Sequence, residues 1–373
     1  MYKPVTLAVL MSAVLATSAQ AQTQTNPFKN PLKASAVITN SSHALNRDGS
    51  PARGDVYLMN VQPSQAHMKY IVNYKPHRAS KSPSDSSLPV MVDVGMNGTP
   101  VLDQGMHGSC VTFATTGALD ALLGNGDYVS PLCNLELGKT LEQDGYIWSG
   151  WDGSWGPYVL NQIEQFGIVN IADQKAKGCG GLTEYPTYSG DTGQGMKPED
   201  FKAMSEDMFD RVYWESILDH NNSEYPNSAN PFDANKVLTQ VKQALTNSAA
   251  NGGNERITFG VFIPVDYCSV GACGTHHKMF DSWVLSDAIA KDPNPELGGH
   301  EMVIFGYDDN AVATDDQGGT HQGLLFLRNS WGSNYGDNGN YYMSYDYFKK
   351  FVGEVQEVKL VPPPAIAPSS MKK

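Results

Sequence analysis

The sequence predicts an α+β fold in which a helical half is followed by a half built of strands. Apolar residues at helical spacing run from Cys110 to Leu123 and stop at a glycine-rich turn. From residue 257 onward the apolar runs are short and typical of strands. Further helices are predicted at 132–145 and 158–166, and strands at 257–263, 301–307, 323–328 and 339–344. Helices followed by strands imply two layers with a cleft between them.

The first 21 residues have the pattern of an export signal. Lys3 supplies a positive charge, residues 5–16 form a short apolar run, and Ala19-Gln20-Ala21 matches a cleavage site. The apolar run is too short for a permanent membrane span. We therefore expect a secreted or periplasmic protein that starts at Gln22 after cleavage, without stable insertion in the membrane.

Residues 22–87 are predicted to be a propeptide that precedes the body at 88–361. Strand-like runs at 56–61 and 68–74 predict a β-hairpin at about 55–75, and a Ser- and Pro-rich stretch predicts a cleavable linker at 76–87. The propeptide is basic, whereas the whole chain carries a formal charge of −13. This balance argues against a nucleic-acid partner and favours docking of the propeptide on the acidic body through opposite charge.

Two stretches of the body depart from its pattern. Residues 189–232 are interpreted as an insertion, with one helix candidate at 198–218 and then an Asn- and Pro-rich loop. Asp233 is placed to cap the helix that follows. Residues 362–373 are predicted to be a disordered tail. We expect a monomer.

The five cysteines are Cys110, Cys133, Cys179, Cys268 and Cys273. In an exported protein cysteines tend to pair, and an odd number leaves one thiol over. The simplest assignment leaves Cys110 free and pairs Cys133 with Cys179 and Cys268 with Cys273. A zinc site is the alternative, although the spacings do not resemble CxxC pairs. No metal or other cofactor is expected.

Four residues have the settings of a thiol-based catalytic site. Cys110 opens a helix, and a helix N-terminus and an imidazolium neighbour both lower the pKa of a thiol. His300 is the candidate imidazole, and Asn329 is the candidate that orients its ring. The backbone N–H of Cys110 and the side-chain amide of Gln104 can supply donors to an oxyanion. Each residue alone has an ordinary structural interpretation, and their joint occurrence favours the catalytic one.

At these residues the chain resembles the papain-like cysteine proteases. The family's pattern implies that Cys110 is the nucleophile, that His300 is the general base and acid, and that Asn329 orients His300. It also implies that Gln104 serves the oxyanion hole and that Trp331 shields the His–Asn bond from water. The motifs are Gln104-Gly105, Gly108-Ser109-Cys110, Gly299-His300 and Arg328-Asn329-Ser330-Trp331-Gly332.

The resemblance also implies an architecture and a substrate site. The expected fold has a helical left part and an antiparallel, barrel-like right part, with the active site in the cleft between them. Cys133–Cys179 resembles a disulfide of the family. Trp155 and Gly299 are expected to border the pocket for the residue that precedes the one at the scissile bond. The wall that binds the substrate backbone is expected at Asp152, Gly153, Ser154 and Trp155.

The chain departs from the family at several positions. His107 stands where the family has a disulfide-bonded cysteine, and Val111 replaces an aromatic residue. Ser154 stands where a second glycine is common. Cys110 and His300 are also further apart along the chain than in the family, and the predicted insertion absorbs most of that excess.

The function implied is that of a secreted cysteine endopeptidase made as a zymogen. It would hydrolyse protein or peptide substrates through an acyl-enzyme, with its own propeptide as intramolecular inhibitor. One alternative is a transpeptidase or ligase on the same fold. The other is a catalytically degenerate homologue that binds peptides, to which Val111 and Ser154 give some weight.

Overall fold

The computed structural model of the protein describes residues 37–39, 55–76, 87–146, 148, 150–219, 232–267 and 272–361. All of them belong to one compact unit that spans residues 34–373. The predicted signal at 1–21, most of the predicted linker, Cys268 and the predicted tail at 362–373 lie outside the described residues.

The described part of the chain combines helices with one large sheet. The helices are α1 (Gln65–Asn73), α2 (Cys110–Leu123), α3 (Pro131–Gln143), α4 (Gly156–Phe166), α5 (Ile171–Lys177), α6 (Pro198–Lys202), α7 (Ala234–Ala250), α8 (Asp287–Lys291) and α9 (Tyr345–Phe351). The strands are β1 (Val37–Thr39), β2 (Asp55–Tyr57), β3 (Met91–Asp93), β4 (Val212–Leu218), β5 (Glu255–Pro264), β6 (Ser282–Trp283), β7 (Leu297–Thr314), β8 (Thr320–Arg328), β9 (Asn340–Ser344) and β10 (Val352–Leu360). In the described ranges, none of the helices has both the length and the hydropathy of a membrane span.

The sheet has eight strands in the order β4-β10-β5-β7-β8-β9-β6, and β3 pairs with β7 beside this path. Its pairs are antiparallel except for the parallel pair of β6 and β9. Every residue of β5 is buried, and β7 is buried from Leu297 to Tyr307. The strand that carries His300 therefore lies in the interior of the sheet, between β5 and β8.

Helix α2 packs against β7 and begins at Cys110. Its small residues Ala114, Ala118 and Ala121 contact Val303 and Phe305 of the strand, so the two backbones approach closely. The helix ends at Gly124, whose φ of 68° is left-handed, as the sequence predicts for its glycine-rich stop. The first residue of α2 is thereby fixed above the strand that bears His300.

A second apolar cluster joins α3 to the segment that follows α5. It includes Phe113, Leu135 and Phe201, and the disulfide Cys133–Cys179 crosses it with a Cα–Cα distance of 5.1 Å. Cys110 is a free thiol. Cys273 is disulfide-bonded, and its predicted partner Cys268 lies outside the described residues.

The predicted β-hairpin at about 55–75 is wrong in its second arm. Strand β2 pairs with β1, and residues 65–73 form helix α1. The side chain of Ser64 caps this helix by accepting a hydrogen bond from the His67 N–H. Its buried residues, His67 and Ile71, are four positions apart and share one helical face. The strand was predicted because apolar residues in 68–74 alternate with the period of a strand.

The helix predicted at 198–218 is also wrong beyond its first turns. Helix α6 ends at Lys202, and residues 212–218 form β4, which pairs with β10 at the edge of the sheet. Val212, Tyr213, Trp214 and Ile217 are residue types that favour strands. The segment interpreted as an insertion thus contributes a strand of the main sheet. The helix capped by Asp233 is present and extends to Ala250.

Candidate active site

Cys110 is the first residue of α2 and is completely buried. The preceding residue, Ser109, makes no side-chain cap bond to the helix. Burial raises the pKa of the Cys110 thiol, and the nearby Glu301 carboxyl raises it further. In this covered state the thiol is therefore protonated, despite its position at a helix N-terminus.

His300 is held by Asn329 and Trp331. Its Nε2 lies 2.8 Å from Asn329 Oδ1, which also accepts the Ser330 N–H at 2.7 Å. Because this oxygen only accepts, Nε2 carries the proton. The indole of Trp331 stacks on the imidazole with centroids 4.4 Å apart and planes inclined by 22°. Ring orientation and tautomer are thus both fixed.

The Nδ1 atom of His300 is left available. It is buried and has no hydrogen-bond partner, so no hydrogen bond joins it to the Cys110 thiol. Burial lowers the pKa of His300 to about 4, against the opposing effect of the Asn329 hydrogen bond. Both partners of the expected thiolate–imidazolium pair are therefore neutral while the site is covered.

Gln104 lies next to this group and its amide is fully engaged. Its Oε1 accepts the Ser330 hydroxyl at 2.7 Å. Its Nε2 donates to the carbonyl of His107 at 2.8 Å and to the carbonyl of Tyr57 at 3.2 Å. Gln104 Nε2, the predicted oxyanion donor, thus bonds to a backbone carbonyl of the predicted propeptide.

Residues 57–61 of the predicted propeptide pass through the site, and we call them the cleft segment. The Met59 N–H donates to the Gly299 carbonyl and the Asn60 N–H to the Asp152 carbonyl, each at 2.9 Å. The side chains of Leu58, Met59 and Val61 are buried. The cleft segment therefore lies between the predicted backbone wall and the strand that leads to His300.

Glycines allow this close approach on both sides. A Cβ on Gly153, whose φ is 131°, would lie 3.0 Å from Val61 Cγ2. A Cβ on Gly108 would lie 3.0 Å from Met59 Cα. The two other predicted wall residues, Ser154 and Trp155, are buried beside them. A chain can lie in this cleft because side chains are missing where it passes.

Helix α1 anchors the cleft segment to α9 and β5. The buried ammonium of Lys350 donates to the Ile71 carbonyl at 2.7 Å, and the Tyr70 hydroxyl donates to the Lys349 carbonyl at 2.6 Å. His67 meets the ring of Phe262 edge-on at 5.1 Å. Docking of this helix thus uses apolar contacts and hydrogen bonds. Docking of the propeptide through opposite charge stays a prediction.

His107 and Tyr185 replace the crosslink that the family has at position 107. The His107 ring packs edge-on against Trp151 at 4.8 Å, and its Nε2 lies 3.1 Å from the Pro186 carbonyl. The Tyr185 hydroxyl donates to the Gln104 carbonyl at 2.8 Å and lies 2.8 Å from the Ser109 hydroxyl. Sequence analysis missed Tyr185, which no motif marks, and Glu301, whose position next to His300 in an apolar strand was a usable signal.

A family of known proteins matches most of the chain. A family model described as papain family cysteine protease matches residues 88–356. No curated protein matches the chain.

Similar solved structures include xylellain, a cysteine protease from Xylella fastidiosa, with a TM-score of 0.46 and 15% identity over 87% of this chain and 98% of that chain. Digestive procathepsin L 3 of the Tenebrio molitor larval midgut has a TM-score of 0.43 and 19% identity, over 87% of this chain and 84% of that chain. Because the family model covers well over half of the chain, this cysteine-type peptidase belongs to the papain family of cysteine proteases.

Proposed function

We propose that this protein is a cysteine endopeptidase made as a zymogen. Cys110 Sγ attacks the scissile carbonyl carbon, and the oxyanion is held by Gln104 Nε2 and the Cys110 N–H. His300, which has taken the thiol proton of Cys110, gives it to the departing amine as the scissile C–N bond breaks, and a thioester remains on Cys110. His300 then takes a proton from water, whose oxygen attacks the thioester and releases the carboxylic acid.

The observation that carries this proposal is the state of the His300 ring. Asn329 fixes its Nε2 at 2.8 Å, and Trp331 covers one face of the imidazole. Its Nδ1 is buried without a hydrogen-bond partner, and the next residue along the strand, Glu301, lies close to Cys110 at the start of α2. A buried imidazole nitrogen without a partner is costly for structure alone and is suited to proton transfer.

The zymogen part of the proposal is supported by the cleft segment. The carbonyl of Tyr57 accepts a hydrogen bond from the Gln104 amide. The N–H of Met59 donates a hydrogen bond to the carbonyl of Gly299. Release of the segment would return water to the cleft and reduce the burial that keeps thiol and imidazole neutral. We therefore expect residues 22–87 to inhibit until they leave, and a thiolate–imidazolium pair to form afterwards.

Covalent labelling with an epoxysuccinyl probe tests the proposal. The matured protein is expected to gain the mass of one probe at Cys110, and the intact zymogen and the Cys110→Ala variant are not. A matured, folded protein that neither takes up the probe nor cleaves a peptide library would refute the proposal in favour of a peptide-binding homologue. Mass spectrometry of products formed with an added amine separates hydrolysis from transpeptidation.

Export and a monomeric state are part of the same proposal. Residues 1–21 would direct export and be removed at Ala21. Sequencing the N-terminus of the exported protein and measuring its mass in solution test the two expectations. An uncleaved Met1, or a stable dimer, would contradict the corresponding one.

A further inference from the structure

One tyrosine hydroxyl joins the two residues that flank the proposed oxyanion donors. The donors are the side-chain amide of Gln104 and the backbone N–H of Cys110, which follows Ser109. The Tyr185 hydroxyl donates to the Gln104 carbonyl at 2.8 Å. It also lies 2.8 Å from the Ser109 hydroxyl, and because its own proton is used on Gln104, Ser109 donates this second bond. A single oxygen therefore links both sides of the oxyanion hole.

Ser109 makes this bond in place of its usual one. It is the N-cap residue of α2, where a serine side chain ordinarily accepts a backbone N–H of the first helical turn. Here the side chain makes no cap bond, and the completely buried residue directs its hydroxyl to Tyr185. The helix that begins at the nucleophile is thus tied to Tyr185 at the position where it would otherwise be capped.

The backbone beside Tyr185 supports the same turn. The Met106 N–H donates to the Thr187 carbonyl at 3.1 Å. A Cβ on Gly105, whose φ is 58°, would collide with that carbonyl, so a glycine is needed where the two backbones meet. All of these contacts join residues of the body to each other. They therefore remain in place when the cleft segment leaves, and they can act in the matured enzyme.

The ring of Tyr185 is held by neighbouring aromatic rings. It stacks on Trp151 with centroids 5.7 Å apart and planes inclined by 9°. It meets Phe113 edge-on at 4.9 Å and His107 edge-on at 5.7 Å. Trp151 is fixed in turn, since its indole N–H donates at 3.1 Å to the carboxyl of Glu136, which is fully buried on α3. The Tyr185 hydroxyl is therefore a fixed point to which the turn is attached.

We propose that Tyr185 is a positioning residue of the oxyanion hole, whose hydroxyl fixes the separation of Gln104 and Cys110 so that both donors reach one substrate oxygen. This inference rests on the proposed peptidase function and adds a residue to its machinery. Two donors stabilise an oxyanion only when both point at the place where its charge develops, so a small displacement of either slows the chemical step. Tyr185 acts through the two residues that it bonds and not on the substrate itself.

The first test is Tyr185→Phe, which keeps the ring and removes the hydroxyl. Matured enzyme is titrated with the epoxysuccinyl probe to fix the concentration of active sites, and turnover is measured on a fluorogenic peptide amide. Because the lost bond aims donors at the transition state, kcat is expected to fall about 10-fold while KM changes by less than about 2-fold. Tyr146→Phe is the matched control, since this ring is 76% exposed, and its kcat and KM are expected to equal those of the unmodified enzyme.

Alkylation with iodoacetamide separates the oxyanion hole from the nucleophile. The Cys110 thiolate displaces iodide at the CH₂ group of this reagent, and no oxyanion forms. The alkylation rate and its dependence on pH are therefore expected to agree within about 2-fold between Tyr185→Phe and the unmodified enzyme. A general disturbance of the site would lower alkylation and turnover together.

A double-variant cycle tests whether Tyr185 acts through Gln104. Gln104→Ala removes one donor and is expected to lower kcat by about 100-fold or more. In that background Tyr185→Phe is expected to cost less than about 3-fold, because the donor that it positions is already gone. An equal loss in both backgrounds would refute the route through the oxyanion hole.

The outcomes separate this inference from the function on which it rests. If Tyr185→Phe titrates fully and keeps its kcat, or loses alkylation in parallel with turnover, the positioning role is refuted and the peptidase stands. A folded, matured protein that neither titrates nor turns over refutes the peptidase function, and the inference falls with it. If Tyr185→Phe does not mature, Ser109→Ala removes one of the same bonds and decides. Its kcat is expected to fall by about 3-fold or more at unchanged KM and alkylation rate, and an unchanged kcat refutes the proposal.

Discussion

Acid is expected to loosen the docking of helix α1 because His67 is buried as a neutral ring. Burial lowers the pKa of His67 to about 3 from an ordinary value of 6.5. When folding lowers the pKa of a base, the folded form has its full stability only at pH values above the pKa of the unfolded form. This contribution is lost as the pH falls from about 6.5 toward 3.

The size of the effect follows from the shift. At pH 5 the unfolded or undocked histidine is protonated and the buried one is not, which costs about 1.36 kcal/mol for each unit below 6.5. The docked form of α1 is therefore destabilised by about 2 kcal/mol at pH 5, or about 30-fold in the docking equilibrium. Local undocking of α1 relieves this cost without unfolding the body.

Hydrogen exchange measures the effect directly. In a Cys110→Ala zymogen, which cannot process itself under the proposed mechanism, amides of residues 65–73 are expected to open about 30-fold more often at pH 5 than at pH 7, after correction for intrinsic exchange. His67→Leu, a neutral side chain of similar volume, is expected to remove this dependence. If the leucine variant keeps the same dependence on pH, His67 is not its origin and the reasoning is wrong.

Three further perturbations follow from described contacts. Lys350→Met leaves the Ile71 carbonyl without its donor and is expected to weaken docking of α1 by about 1–3 kcal/mol, seen as faster maturation at neutral pH; an unchanged maturation rate would contradict this. Asn329→Ala removes the partner of His300 and is expected to lower kcat/KM by about 10- to 100-fold, measured on titrated enzyme; a loss seen only in KM would argue against an orienting role. Replacing both cysteines of Cys133–Cys179 by alanine is expected to lower the free energy of unfolding by about 2–4 kcal/mol in denaturant titration, whereas equal midpoints would contradict a stabilising crosslink.

Local patterns predicted much of the helical half. The limits of α2 agree with the sequence because an apolar run after Ser109 and a left-handed glycine at 124 are both local signals. The positions of His300 near the start of β7 and of Asn329 directly after β8 were also foreseeable, since 301–307 and 323–328 are apolar runs typical of strands. Their hydrogen bond depends on register, and the resemblance to a family supplied that part.

The errors arose where tertiary contacts override local preference. Residues 68–74 alternate like a strand, but the surface formed by Phe262 of β5 and Lys350 of α9 accepts a helix with one buried face. Residues 212–218 became a strand because the edge of β10 was open for pairing. The proximity of Glu301 to Glu354 and Gln356 could not be predicted from the sequence, since Glu301 lies on β7 and the other two lie on β10, and β5 separates these strands in the sheet.

The hydrogen bonds of the cleft segment have a consequence for how inhibition ends. While the segment is part of the chain, it meets the cleft at an effective concentration of about millimolar. One cut in the predicted linker at 76–87 changes nothing in the contacts of Tyr57 or Met59. The cut turns the cleft segment from a part of the chain into a separate peptide ligand, whose concentration equals that of the protein. Under the proposed function, dilution of the cut protein is then an activating step in its own right, and we expect cut but concentrated protein to gain activity on simple dilution.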